Sequence, residues 1–417
     1  MTSERIRTAV EQEGMAGLWL VVSVGSLIGL SIMGDSLMYS VLPLAAPTLG
    51  IPLPMVGLLL SINRFIRLFS NDWASRAYTR WGARRPFVVS LGIGALATAS
   101  YGFAGNLPLL VVGRSTWGVA WSGLRQGGYQ AIWTGVAHQK GRLTGLLWGL
   151  VRMGSAIGVL VGGVLFDRYG FAAAMNFVML TAALAVPVAL LLRWADGHAP
   201  PLQPPSRTSE NESDAAAGGW RSALQTPAQR WLLIAAFVDY LASGVIISTT
   251  AIFVAGATLR EGGVLWLGLG VATLTGVMHG VRWVTDLAFG PLIGALSDRF
   301  GQATTAAAVA VCYAGAIAAA LLLPPGGAIL ALFVVLLCDG ALHIVMSAAA
   351  TGVALTTSRP HRFVGVYATT SDAGSALGPL VAFSLVGVVG LPVVYGTLAL
   401  LLLISVGQFR RYAQAPR

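Results

Sequence analysis

The sequence predicts an all-α polytopic membrane protein with twelve transmembrane helices in two six-helix, pseudo-symmetric halves. Three observations lead there. Of 417 residues, 56% are hydrophobic and only 10% charged, with a mean hydropathy of +0.75. Soluble domains carry about 25% charged residues, and no water-soluble fold of this length could hide so much apolar surface. The apolar runs are also long and contain Gly and Pro, as membrane helices tolerate; the short alternating segments of a β-barrel are absent. Finally, two short patterns recur in the second part of the chain at nearly one offset, which marks a duplication.

Spans of roughly 20 residues or more, enough to cross about 30 Å of hydrocarbon, fall at 17–44, 52–75, 86–104, 108–134, 142–166, 172–193, 231–256, 264–297, 303–323, 328–356, 362–388 and 391–409. The first follows a charged start, MTSERIRTAVEQEG. With a long apolar stretch and no small-residue cleavage site ahead of a soluble domain, it reads as a span rather than a cleaved signal peptide. Residues 194–230 include HAPPLQPPSRTSENESDAAAGG, whose Pro, Ser, Gly and charge make a flexible connector. It divides the chain into a six-helix bundle at 1–193 and a second at 231–417. Asn211 to Ser213 matches a glycosylation sequon, which has no meaning in a cytoplasmic loop. Cys312 and Cys338 fall in apolar runs and read as small core residues.

Orientation follows from the 26 lysines and arginines. Eighteen lie at the termini and in the even-numbered loops, and only Arg168 and Arg260 in the odd-numbered ones. Positive residues stay cytoplasmic, so both termini are expected inside, in a multi-pass protein of the cell's inner (plasma) membrane. The net charge of +10 is then mostly a topology signal, with no nucleic-acid partner implied.

The repeats fix the architecture. Residues 152–163, RMGSAIGVLVGG, recur as DAGSALGPLVAF at 372–383, an offset of 220. SRAYTRWGARR at 75–85 recurs as GALSDRFGQAT at 294–304, with Gly82 and Gly301 offset by 219. Each copy occupies the same place in its half, the turn after the second span and then the fifth span. Such a parallel duplication relates the halves by an axis along the membrane normal.

On these residues the chain resembles the major facilitator superfamily of secondary transporters. The family's loop motif, Gly-x-x-x-Asp-Arg-x-Gly-Arg-Arg/Lys, is matched by Gly294, Asp298, Arg299 and Gly301 in the second half. In the first half it is matched by Arg80, Gly82, Arg84 and Arg85, with Ser75 and Thr79 departing from it. Arg114 and Gly118 match the fourth-helix motif. Gly154, Gly158, Gly162 and Gly163 match the fifth-helix motif of antiporters, with Val159 in place of its proline; glycines at that spacing also make plain helix-packing surfaces. The resemblance implies alternating access, a cavity lined by spans 1, 4, 7 and 10, and a loop aspartate that latches the outward-open state.

Thirteen ionisable groups fall well inside the spans: Asp35, Arg64, Arg67, Arg114, Arg125, Arg152, Asp239, His279, Arg282, Asp286, Asp339, His343 and Asp372. Such groups are costly in a bilayer and face a cavity or a partner. Arg64, Arg152, Asp286 and Asp372 all lie about 15 Å from the cytoplasmic ends of their helices, at 1.5 Å per residue. In the resembled fold, span 2 neighbours span 11 and span 5 neighbours span 8. Two latch pairs between the halves are therefore expected, Arg64 or Arg67 with Asp372 and Arg152 with Asp286; static glue is the other role for such pairs.

Asp35 and Tyr39 share a helix face, as do Asp239 with Ser243 and Asp339 with His343. Asp35, Asp339, His343 and Arg114 are the candidates for proton coupling, although Asp35 and Asp339 could equally be held by structural hydrogen bonds. Arg114, about six residues from the outer end of its span, could instead reach the interface. Tyr39, Trp117, Trp121, Arg125, Asp239 and Ser243 are the candidate substrate-cavity residues, with packing or lipid contact as the alternative for the tryptophans. Arg125 would meet Asp35, Asp339 or an anionic group of the substrate.

The leading expectation is a proton-coupled secondary transporter, a monomer in the lipid bilayer, that moves a small organic solute by alternating access and exports it, as in drug or metabolite efflux. The solute carries an anionic group in one version. Uptake of an organic anion and a lipid or lysolipid flippase are alternatives on the same fold, and a non-transporting membrane sensor is one of another class. No cofactor beyond the proton gradient and no metal is expected, since neither an ATP-binding Gly-x-x-x-x-Gly-Lys loop nor an H-E-x-x-H pattern occurs, and the chain is not expected to be an enzyme.

Overall fold

A computed structural model describes residues 3–103, 106–133, 140–192, 194, 224–260, 268–357 and 360–414. The connector expected at 194–230 falls largely outside the described residues. Among the described residues the architecture is helical throughout, as lipid requires: a spanning backbone must satisfy its own hydrogen bonds.

Among the described residues ten α-helices follow one another, with a 3-10 turn at Tyr101–Phe103 after the third. They are α1 (Ser3–Ala45), α2 (Leu53–Trp81), α3 (Arg84–Ser100), α4 (Leu107–Trp133), α5 (Lys140–Leu191), α6 (Pro227–Arg260), α7 (Val271–Phe300), α8 (Gln302–Leu322), α9 (Pro325–Leu355) and α10 (Pro360–Ala413). Where twelve spans were expected, the difference lies in α5 and α10, each of which runs through a glycine with non-helical dihedrals. Gly170 has φ 81° and Gly390 φ 79°. Only glycine adopts this region freely, and the two breaks stand 220 residues apart, the offset of the sequence repeat. What was expected as a loop between spans 5 and 6, or between 11 and 12, is thus a single-residue turn.

Eight of the ten elements contain a stretch long and apolar enough to cross a membrane. The two that fall short are α4, which carries Arg114 and Arg125, and α7, which carries Arg282 and Asp286. These charges lower the hydropathy of the two helices, and Arg114 and Arg282 are buried within their units, as charge inside a membrane requires.

The chain divides into two compact units, Met1–Val41 with Ile62–Ser206, and Leu42–Ser61 with Arg207–Arg417. Unit 1 has its core around Trp117, Phe87, Leu91, Ile28 and Leu147, all fully buried. Polar ties join α2 to α4: Ser70 and Ser122 share a 2.8 Å hydrogen bond, and the Tyr78 hydroxyl donates to the Gly123 carbonyl at 2.8 Å. In unit 2, Thr249 and Tyr395 are bonded at 2.8 Å between α6 and α10. Cys312 is exposed and Cys338 buried, with their sulfurs 3.5 Å apart between α8 and α9.

The fifth-span glycines have a structural use in both units. In unit 1 a Cβ on Gly158 would come within 2.8 Å of the Met33 Cα on α1. In unit 2 a Cβ on Gly378, the residue 220 positions later, would come within 2.6 Å of the Gly244 Cα on α6. Small residues let membrane helices approach backbone to backbone. The same device packs α5 on α1 and α10 on α6.

Candidate functional site

In unit 1 each of the first four helical stretches sends a residue to one buried point. Asp35 on α1 accepts a 2.6 Å ion pair from Nη1 of Arg114 on α4 and a 2.9 Å hydrogen bond from Nδ2 of Asn63 on α2. Nη1 of Arg114 also reaches the Tyr101 hydroxyl at 3.3 Å, from the 3-10 turn Tyr101–Phe103 that ends α3. Arg114 is 0% exposed, so it does not reach the membrane interface, the alternative its place near the helix end had left open. A buried charge must be paired and hydrogen-bonded, and here the pairing draws the bundle together.

Around this point lies a set of cations on aromatic rings. The Arg64 guanidinium sits 5.4 Å from the Tyr39 ring centre, and that of Arg67 5.3 Å from the Trp121 ring. Both distances suit cation–π attraction. Trp121 continues the aromatic run to Trp117 on one side and Trp148 on the other, each at 6.4 Å. Trp117 belongs to the hydrophobic core, while Arg125 is half-buried.

Unit 2 assembles a comparable point from its own first four helices, with the parts redistributed. Asp339 on α9 pairs with Arg282 on α7, both buried. It also accepts hydrogen bonds from Ser243 of α6 at 3.1 Å and from the Tyr313 hydroxyl of α8 at 3.3 Å. Arg282 stands 219 residues after Asn63, the offset that relates Gly301 to Gly82. The same register therefore supplies an amide to Asp35 in one unit and a guanidinium to Asp339 in the other.

One more carboxylate and an imidazole complete this second cluster. Asp239 on α6 is 0% exposed, and neither of its oxygens has a hydrogen-bond partner among the described residues. His343 lies between the two aspartates, its Nε2 3.7 Å from Asp239 and its Nδ1 3.9 Å from Asp339, with its ring 4.2 Å from that of Tyr240. Asp239, Asp339 and His343 bring one ligand atom each within 4.8 Å of one another, which is also a cation-binding arrangement. Buried His279 stacks on Trp283 one turn from Arg282, at 6.1 Å.

The grouping of Asp339, His343, Asp239 and Ser243 was legible as pairs on helix faces. The roles of Asn63, Tyr101, Arg282, Tyr313 and Tyr240 were not, because a tyrosine or asparagine inside an apolar run carries no pattern of its own. Arg125 was a candidate partner for Asp35; Arg114 and Asn63 fill that place. The pairs expected of Arg64 or Arg67 with Asp372, and of Arg152 with Asp286, join residues of different units. Within unit 2, Asp286 lies against Gly340 of α9 and Asp372 is exposed.

In the loop motif, Gly82 and Gly301 both adopt positive φ, at 72° and 84°. Thr79 bonds its own helix through the Ser75 carbonyl at 3.0 Å, whereas Asp298 is exposed. Asp72 and Arg76, one turn apart, form an exposed 2.7 Å pair.

A family model described as Major Facilitator Superfamily matches residues 24–286. No curated protein matches the sequence. Solved structures similar to the chain include a bacterial homolog of the human lysosomal transporter Spinster, inward-facing and unoccupied. It is 14% identical, with 96% of this chain and 97% of that one covered and a TM-score of 0.73. The nucleoside transporter NupG is 12% identical over 96% of this chain and 100% of its own, with a TM-score of 0.75. A peptide transporter, POT, in complex with sulfate is 14% identical over 95% and 94%, with a TM-score of 0.71. At these identities the likeness is one of fold.

Proposed function

Because the chain belongs to the major facilitator superfamily, and is a membrane transporter rather than an enzyme, we propose that it couples proton movement to the transport of a small organic solute bearing an anionic group. The observation that carries this reading is Asp239. The buried cluster of unit 2 holds two carboxylates against one guanidinium, and an uncompensated buried charge is untenable. One proton on the Asp239–His343 pair makes the cluster neutral, and losing it restores the deficit. A site that must gain and lose one positive charge is what proton coupling needs.

The anionic group follows from unit 1. Well inside its spans unit 1 carries the five arginines Arg64, Arg67, Arg114, Arg125 and Arg152 and one aspartate, Asp35, which Arg114 serves, while Asp72 near the end of span 2 pairs with Arg76. Guanidiniums on aromatic faces suit a planar or aromatic solute with a carboxylate or phosphate. Export is the direction the fifth-span glycine pattern suggests.

Purified protein in liposomes, with a pH gradient imposed in either sense and a panel of radiolabelled organic anions, tests the proposal. Antiport fills the vesicles when their interior is acidic, and symport fills them when the exterior is acidic. Asp239→Asn should lose at least about tenfold of gradient-driven flux, equivalent to about 1.4 kcal/mol, while solute exchange without a gradient persists. Flux that follows a sodium gradient at constant pH, or that chelators abolish, would assign the charge to a metal cation instead. Absence of gradient-dependent flux of any solute in folded protein would remove transport coupling altogether.

A further inference from the structure

A groove follows α2 along the exposed surface of unit 1. At its Arg-rich end it encloses about 640 Å³ and is lined by Trp73, Arg80, Trp81, Arg85, Val89 and neighbours. Beside it a second hollow of about 580 Å³ is lined by Ile66, Phe69, Trp73, Thr116 and Val119. Trp73, Ile93 and Val119 line both, so the two are one channel. The walls are apolar and open to the outside, with Phe69 67% and Trp73 64% exposed. Membrane-facing apolar surface is ordinary; an open hollow of this volume with Arg76, Arg80 and Arg85 in its lining is not.

The charges at that end are unevenly used. Residues 72–85 carry four arginines and one aspartate. Arg76 takes Asp72, and Arg84 donates to the Leu190 carbonyl at 2.7 Å. Arg80 and Arg85 have no ion-pair partner among the described residues, and the Arg80 guanidinium rests 5.8 Å from the Trp81 ring. The corresponding turn of unit 2 has Ala303 and Thr304 where unit 1 has Arg84 and Arg85.

We propose that this groove binds one anionic phospholipid. Its phosphate is held between Arg80 and Arg85, and an acyl chain lies along Trp73 and Val119 toward Ile66. The dimensions agree. Ile66 and Arg80 are fourteen residues apart on α2, about 21 Å. That equals one leaflet of hydrocarbon, about 15 Å, plus roughly 5–7 Å of headgroup layer. Trp81 sits at headgroup level, where tryptophan is favoured, and the positive-inside rule puts this end in the leaflet that carries anionic lipid. The departure of the first loop motif from its family pattern then has a use: with Thr79 in place of aspartate, no fixed anion competes with the phosphate for Arg80. The inference does not depend on the solute or the coupling ion proposed above.

The test uses the full chain in nanodiscs of phosphatidylcholine doped with phosphatidylglycerol, followed by partial delipidation and native mass spectrometry. About one phosphatidylglycerol per chain should be retained in preference to phosphatidylcholine. R80Q/R85Q should lower that preference about twenty-five-fold, at about fivefold per arginine. V119W, which fills the groove and leaves the charges alone, should release the lipid as well. Glycerol 3-phosphate and inorganic phosphate should not displace it; displacement by either would mean a headgroup-only anion site and overturn the lipid assignment. Undiminished preference in R80Q/R85Q would overturn it too. Should the double variant fail to fold, a phosphatidylglycerol with a photoactivatable acyl chain on the unaltered protein decides. Labelling within 66–93 and 115–119 supports the groove, and labelling confined elsewhere refutes it.

Discussion

In unit 1 the buried aspartate Asp35 has an arginine to itself, whereas in unit 2 the buried arginine Arg282 serves one aspartate while another, Asp239, has no hydrogen bond among the described residues. Both clusters use an aspartate, an arginine, a tyrosine and one small polar group, and both take one residue from each of four consecutive helical stretches. In the first, one guanidinium matches one carboxylate. In the second, two carboxylates face one guanidinium, and one more positive charge would balance them. The residues well inside the spans repeat this at larger scale, with five arginines and one aspartate in the first unit against one arginine and four aspartates in the second. Duplication gave one backbone plan twice, and the charges then diverged in opposite directions. On the function proposed above, the positive half would receive the anionic solute and the negative half the proton.

The comparison is broken most directly at the two clusters. Arg114→Ala strips Asp35 of its charge partner in a buried site, which should cost about 3–5 kcal/mol. Replacing Asp35 and Arg114 together should cost clearly less than the two single changes summed. Asp239→Asn, by contrast, removes a carboxylate that has no hydrogen bond to lose, so its effect should stay under about 1.5 kcal/mol. Thermal or denaturant unfolding in detergent measures all four proteins. Should Asp239→Asn destabilise as much as Arg114→Ala, Asp239 is a structural anion and the contrast between the units disappears.

A smaller effect tests whether the units remain equivalent where they have not diverged. Gly158→Ala and Gly378→Ala each push a methyl into a facing backbone, a clash that should cost about 1–3 kcal/mol. The two costs should agree within the error of measurement, since the positions are related by the repeat offset and the approaches, 2.8 and 2.6 Å, are alike. A twofold difference would show that α5 on α1 and α10 on α6 have acquired different tolerances despite the shared motif.

These positions also show what the sequence could disclose. The apolar runs, the repeat offset and the glycine spacing are patterns over many residues, so span existence, duplication and the α5 and α10 packing faces were legible. The single-residue turns at Gly170 and Gly390 were not, because a lone glycine among 52 in the chain has no distinguishing context. Asp35 and Arg114 were each visible as intramembrane charge, but 79 residues separate them; which arginine a buried aspartate takes depends on helix rotation, which hydropathy does not encode. Arg282 was counted among the charges without a role for the same reason. Asn63 and Tyr313 had no signal, being the commonplace polar residues of a membrane helix until a carboxylate is found beside them.

The smallest expected effect concerns the two loop motifs, and it bears on whether their difference has meaning. Thr79→Asp restores to unit 1 the residue that unit 2 keeps as Asp298. Thr79 bonds only its own helix, through the Ser75 carbonyl, and lies on an exposed surface, so the change in stability should fall within about 0.5 kcal/mol. A new carboxylate beside Arg80 should nevertheless offset about one basic charge, lowering the preference for phosphatidylglycerol about fivefold. Retention in mixed nanodiscs reads the second quantity without reference to transport. If lipid preference, transport rate and the accessibility of labelled cysteines all stay as in the unaltered protein, Thr79 and Asp298 differ by drift. A selective loss of lipid preference would instead mean that one copy of the motif was kept as a turn and the other was turned toward the bilayer.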